Sequence, residues 1–237
     1  MKYQDKKAFW ESQYTEGETE GPAWYQALAK FTQDREEVSF ELVKNLARLN
    51  TMNCIDLGCG EGNLVRWLSA KAKNVMGTDI AENRLKIAKK KSKGLKNTSY
   101  KLVDLDEKLK FKSNAFNLVT LIGVLEYTFD PYFVIAEINR VLKKGGFFVL
   151  EVPNLAFLPE RLKLLTGKLP SWPDAVGWQG GRLHSFTFTK TIELLEENGF
   201  KVLQKTGAGF LRPLRAWWPE LLCGDIILLA QKIKPIV

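Results

Sequence analysis

The chain has 237 residues, 45% of them hydrophobic, and a formal net charge of +8. That is enough apolar material for one domain, or one domain with a cap, and too much for a disordered segment. Three cysteines without paired spacing and a single histidine exclude a disulfide framework and a multi-histidine zinc site, so no metal is expected. The segment after Met1 lacks the apolar core of a signal peptide, and no apolar run approaches a membrane span. A soluble, cytoplasmic protein in a reducing compartment is the expectation. Much of the positive excess sits at Lys86, Lys89, Lys90, Lys91, Lys93 and Lys96, late in a predicted helix where cations suit the dipole. A solvated basic surface is favoured over a nucleic-acid partner, which net charge alone does not exclude.

Residues 1–50 read as a helical cap ahead of the first strand. Phe9-Trp10-Glu11-Ser12-Gln13-Tyr14 is amphipathic, and Gly21-Pro22 opens a second segment with Trp24, Tyr25, Leu28 and Phe31 at helical spacing. A third helix is expected to carry Val38, Leu42, Val43, Leu46 and Leu49. Each of these aromatics is most simply core; as a group they also suit a lid, with Tyr14 and Tyr25 as candidates over a ligand.

From residue 53 strand and helix alternate. Strands are expected near 53–57, 74–79, 98–103, 116–122, 146–152, 200–206 and 225–232, and helices near 62–72, 81–92, 131–142 and 189–198. This pattern predicts an α/β, Rossmann-like, seven-stranded, mostly parallel sheet with helices on both faces. Ligands then bind along the edge where the strands end. Residues 153–185 read as an irregular insertion, and 209–222 interrupts the last hairpin. Residues 51–237 form one domain on this reading.

The stretch Cys54-Ile55-Asp56-Leu57-Gly58-Cys59-Gly60-Glu61-Gly62-Asn63 runs from a strand through three alternate glycines into a helix. Such a loop lets a ligand lie against backbone and turns free N–H groups toward it. A dinucleotide site wants G-x-G-x-x-G, and Asn63 stands where its last glycine would be. Asp79 ends the second strand, where a carboxylate can accept both hydroxyls of a ribose; it could also cap the next helix, but its position after the glycine loop favours the ribose. Asp104 ends the third strand in Val103-Asp104-Leu105-Asp106, which taken alone reads as a surface acidic turn.

Three further features complete a pattern: Ala115 to Pro131, with Leu125-Glu126-Tyr127 and Asp130-Pro131; the turn Leu142-Lys143-Lys144-Gly145-Gly146; and the strand leading to Pro153-Asn154. Together with the Asp56–Gly62 loop, these resemble the class I S-adenosylmethionine-dependent methyltransferases, in particular the small-molecule branch that includes the ubiquinone-biosynthesis O-methyltransferases. The resemblance covers residues 50–155 well and 184–200 more loosely. It implies S-adenosylmethionine as cofactor, S-adenosylhomocysteine as product, and a small-molecule acceptor methylated at oxygen or nitrogen. It implies that Asp56, Gly58 and Gly60 line the methionine tail, Asp79 takes the ribose and Ile80 packs on adenine. Asp104 and Leu105 then hold the base, and Ile122 and Gly123 sit beside the sulfonium. Asn117 departs from the usual Asp, and Tyr127 from a frequent His.

The only histidine, His184, could serve as a base or could order the insertion; Glu126 and Glu151 are lesser candidates for proton transfer. Trp172, Trp178, Trp217 and Trp218 suggest a hydrophobic or aromatic acceptor. The stretch 209–222, with Arg212 and Arg215, could be a substrate wall, a peripheral membrane contact, a dimer contact or a cap on the core. Three other readings stay open: an RNA or protein methyltransferase, supported by charge alone; a non-catalytic cofactor-binding subunit; and an NAD-dependent oxidoreductase, against which the glycine spacing argues.

Overall fold

A computed structural model describes residues 4–12, 34–168, 182–209 and 217–235. Its strands are β1 (Asn53–Leu57), β2 (Asn74–Asp79), β3 (Thr98–Leu102), β4 (Phe116–Ile122), β5 (Leu142–Pro153), β6 (Phe200–Ala208) and β7 (Asp225–Lys232). Its helices are α1 (Gln4–Ser12), α2 (Arg35–Val43), α3 (Asn63–Ser69), α4 (Glu82–Lys91), α5 (Pro131–Val141), α6 (Leu158–Leu165), α7 (Phe188–Glu197) and α8 (Pro219–Leu222). Single 3-10 turns lie at Leu49–Thr51 and Leu125–Tyr127.

The strands form one sheet in the order β3-β2-β1-β4-β5-β7-β6. All pairings are parallel except those of β7, which runs antiparallel to both β5 and β6. The expected seven-stranded, mostly parallel sheet is therefore the one present. Successive side chains of a strand point to opposite faces, and here both faces are covered. Ile55, Leu57, Val119, Leu121, Phe148, Leu150, Ile226 and Leu228 pack on one side with α5 and α7. Cys54, Leu118, Val149, Ile227 and Leu229 pack on the other with residues of α2, α3 and α4. Burial on both faces explains why these strands read as continuous apolar runs.

Local signals set the helix starts. Asp130 caps α5 by accepting from Phe133 N at 3.1 Å, and Pro131 fills the first turn, where its missing N–H costs nothing. Asn117 accepts from Asn53 N at 3.1 Å and from Lys143 Nζ at 3.2 Å, so the amide oxygen does what an acid would do there.

Three boundaries differ from expectation. Helix α2 stops at Val43: turns follow, Arg48 adopts a left-handed φ of 63°, and Leu46 and Leu49 pack on the same core from outside the helix. Strand β5 begins at Leu142, ahead of the Gly-Gly pair. Phe116 pairs with Leu142, then the register shifts before Leu118 meets Phe147, so the bulge absorbs the turn-like residues. Helix α6 lies inside the stretch expected to be irregular, with Pro159 in its first turn. Tyr14, Trp24, Tyr25, the helix expected after Gly21-Pro22, Trp172, Trp178, Arg212 and Arg215 lie outside the described residues. Among the described residues, no helix is long and apolar enough to cross a membrane.

Candidate active site

Strands β1 and β4 are neighbours, yet the chain leaves β1 toward β2 and leaves β4 toward β5. The loops after them diverge and open a crevice at their carboxyl ends. Gly58, Gly60 and Gly62 all have left-handed φ, at 73°, 53° and 76°. The loop is pinned to β2 by Cys59 N donating to Thr78 O at 2.7 Å and by Gly60 N donating to Asp79 Oδ2 at 2.8 Å. A side chain at Gly58 would run into Val124 of the loop after β4, so the two loops meet only because this position is glycine.

A cavity of about 450 Å³ occupies the crevice, within the range of small-molecule sites. Of the residues singled out from the sequence, Gly58, Gly60, Asp79, Ile80, Asp104, Leu105, Ile122 and Gly123 all line it. Asp79 also accepts from Ala81 N at 2.9 Å, so its carboxylate is oriented by both the glycine loop and the next helix. Asp104 caps its own turn through Asp106 N at 3.0 Å.

Asp56 and His184 are not among the lining residues. Asp56 is buried under the loop and accepts from Thr120 Oγ1 at 2.6 Å. Burial pushes its carboxyl up to about 8; the Thr120 hydrogen bond opposes the rise, and Glu36 and Asp79 add to it. The His184 ring nitrogen Nε2 lies 3.0 Å from Thr128 O, and the backbone N–H groups of Leu183 and His184 donate to Glu126 O. This segment is strapped to the turn after β4.

The Asp56 environment has a consequence for stability. Its carboxyl is neutral in the folded chain at pH 7 and ionised in the unfolded chain, whose value lies near the ordinary ~3.9. The folded form holds a proton that unfolding releases, so its contribution is full below about pH 4 and is lost as pH rises through about 8. Melting of the cofactor-free protein should therefore drop between pH 6 and pH 9, and Asp56→Asn should flatten that drop. An unchanged slope in the variant contradicts the assignment.

Sequence reasoning missed Arg35 and Glu36 on α2, Arg84 on α4, and Lys6 and Trp10 on α1, all of which line the cavity. Glu36 contacts Asn63, and its Oε2 is buried with no hydrogen-bond partner. Burial raises its pKa. The Arg84 guanidinium lies over Gly60, and that of Arg35 over Gly123. Lys6 pairs with Asp106 and sits 5.0 Å from the Phe129 ring, and Trp10 meets Tyr127 edge-on at 4.9 Å. The available sequence signal was Asp34-Arg35-Glu36-Glu37 at a helix start, which reads as ordinary capping; here Asp34 does accept from Glu36 N at 3.0 Å.

Residues 55–150 match the model of a methyltransferase domain family, and that span contains the glycine loop, both acids and the β4 turn. Over those residues the chain is similar to methyltransferase domains. It is 34% identical over 125 residues to a demethylmenaquinone methyltransferase of Staphylococcus aureus, covering 50% of each chain. It is 28% identical over 115 residues to a ubiquinone biosynthesis O-methyltransferase of Hydrogenovibrio crunogenus, covering 48% of each. The matches thus span about half the length of these relatives. A solved S-adenosylmethionine-dependent methyltransferase from Mesorhizobium loti shares the fold, with a TM-score of 0.62 at 20% identity over 83% of this chain and 97% of that one.

The residues that line the cavity fit S-adenosylmethionine, the cofactor that the resemblance implies. Glu36, with its unpartnered oxygen, Asp79 and Asp104 all line the cavity, and each carboxylate could accept from a donor group of that molecule. Ile80, Val103 and Leu105 supply apolar walls between the last two.

Proposed function

We propose that the protein transfers a methyl group from S-adenosylmethionine to the oxygen or nitrogen of a small-molecule acceptor. The observation that carries this is the joining, in one cavity, of the glycine loop, the acids of β2 and β3 and the turn after β4. When bound, S-adenosylmethionine supplies a methyl already activated on a sulfonium, so binding, orientation and exclusion of water are what remains for the chain.

On this reading Gly58 and Gly60 give the methionine portion access to backbone, and Asp56 stiffens the loop from beneath. Glu36 accepts from the ammonium and Asp79 from the ribose. Ile80 and Leu105 sandwich adenine while Asp104 accepts from its amine, and Ile122 and Gly123 leave room at the reacting end. The part of the expected cap that is described, α1, reaches the cavity through Lys6 and Trp10. His184 acts as a strut for the Glu126–Thr128 turn.

The acceptor is proposed to be hydrophobic or aromatic. The relatives that act in ubiquinone biosynthesis and on demethylmenaquinone support this. Trp217 and Trp218, within the 209–222 stretch, stand 81% and 50% exposed and are not among the residues lining the cavity.

Incubation with methyl-labelled S-adenosylmethionine and a panel of hydroxylated aromatics and amines should place label in a small molecule. Label recovered only in RNA or protein would overturn the acceptor assignment.

A further inference from the structure

The edge of the sheet that carries the crevice also carries an apolar face that the described residues leave uncovered. Strand β5 runs parallel to β4, so it ends at Pro153 on the edge where β4 opens the crevice. Pro153 and Ala208, at the ends of β5 and β6, both pair with Asp225 at the start of β7. The chain therefore leaves the sheet twice at this edge, after β5 and between β6 and β7. Asn154 ties the two excursions together. Its side chain donates to Glu220 O at 3.0 Å and to Cys223 O at 2.9 Å, and it accepts from Ala156 N at 3.0 Å.

Helix α6, on the first excursion, is turned inside out. The spacing of Leu158, Leu162 and Leu165 puts them on one side of the helix. All three are exposed, Leu165 to 82%. The buried residue of the helix is Glu160, on the opposite side, where it pairs with Lys163 at 3.2 Å. Leucines outward and a carboxylate inward is the reverse of what water favours. On the second excursion Trp217 and Trp218 stand exposed and meet edge to face at 6.3 Å. Large apolar groups gathered in the open mark an interaction surface.

The charges flanking this face point to its occupant. Lys163 is matched by Glu160, but residues 161–168 also hold Arg161 and Lys168 and contain no acid. Residues 209–218 hold Arg212 and Arg215 and again no acid. Glu220, which follows them, is matched by Lys205 at 2.5 Å. Leucines and tryptophans flanked by cations are the composition of a surface that sits in a bilayer interface. A second copy of the chain fits less well, because a symmetric contact would bring these cations against one another. We propose that this face docks the protein on a membrane surface bearing anionic headgroups, with Leu158, Leu162, Leu165, Trp217 and Trp218 entering the boundary between headgroups and acyl chains. The inference goes beyond the methyl-transfer reading and does not depend on it. Docking in this way turns the crevice edge of the sheet toward the lipid, the phase in which a hydrophobic acceptor would be dissolved.

The test is flotation of the full chain with vesicles of phosphatidylcholine alone, and of phosphatidylcholine and phosphatidylglycerol in equal parts. Wild type should bind the mixed vesicles on the order of tenfold more tightly than the neutral ones, and raised salt should weaken that binding. Leu162→Glu combined with Leu165→Glu should lower binding to the mixed vesicles on the order of tenfold or more. Trp217→Ser combined with Trp218→Ser should act in the same direction. None of these four side chains lines the cavity, so both variants should keep the wild-type melting temperature and its shift with S-adenosylhomocysteine. Lys89→Gln combined with Lys90→Gln, in the last turn of α4, changes net charge by as much as the leucine pair. It should leave vesicle binding within about twofold of wild type. Equal losses in the leucine and lysine variants would reduce the attraction to net charge and overturn the proposal. No vesicle binding by wild type, equal binding to both compositions, or undiminished binding by the leucine variant would overturn it as well. So would a dimer in sedimentation that Leu165→Glu dissolves, since that gives the face to a second copy. Binding of S-adenosylhomocysteine, measured on the same samples, separates failure of this proposal from failure of the methyl-transfer reading.

Discussion

Asp79→Ala is expected to weaken S-adenosylhomocysteine binding by about a hundredfold. Hydrogen bonds to a charged group contribute about 1.5–3 kcal/mol each, and each 1.4 kcal/mol is about a tenfold change. Two ribose hydroxyls on one carboxylate therefore account for at least that loss. The same carboxylate accepts from Gly60 N and Ala81 N, so alanine also leaves one N–H of the glycine loop and one at the start of α4 unsatisfied. A drop of about 1–3 kcal/mol in stability should accompany the lost affinity. Asp79→Asn separates the two effects. It keeps one acceptor oxygen, turns an amide NH2 toward the other backbone N–H and loses the charge, so its melting temperature should fall less than that of Asp79→Ala while its affinity lies between wild type and Asp79→Ala. Wild-type affinity in Asp79→Ala would remove the ribose assignment.

Gly58→Ala should damage both the loop and the fold. The residue holds a φ of 73°, where an L side chain costs about 1–2 kcal/mol, and its Cβ would overlap Val124 Cγ2. Overpacking of this kind adds about 1–3 kcal/mol. The loops after β1 and β4 would be pushed apart at the point where they frame the cavity, and S-adenosylhomocysteine affinity should fall at least about tenfold. Val124→Ala in the same chain removes the clash and leaves the backbone strain. The double variant should recover part of the lost stability, and a double-mutant cycle measures that part. Strict additivity of the two changes would mean that the loops do not press on each other at Gly58.

The strands and the glycine loop were legible because their causes are local. Burial on both faces makes β1, β4 and the body of β5 apolar runs, and a left-handed φ at Gly58, Gly60 and Gly62 leaves glycines at alternate positions. Where a nonlocal partner decides the outcome, local reading failed. Leu142 is a strand residue because Phe116 pairs with it across a bulge, and Leu46 joins the core after α2 has ended. The polar half of the site was hidden for the same reason. Lys6, Arg35, Glu36 and Arg84 reach the cavity from three separate helices, and no spacing in the chain announces that they meet there. His184 stood out because it is the sole histidine, yet its ring is engaged by Thr128 O rather than lining the cavity.

The central claim is that the crevice between β1 and β4 binds the methyl donor. Isothermal titration of the full chain with S-adenosylhomocysteine, paired with thermal melting, tests it most directly. The account predicts saturable one-to-one binding and a raised melting temperature, with NAD producing neither. Absence of heat and of any thermal shift with S-adenosylhomocysteine, or saturable binding of NAD in its place, would contradict it.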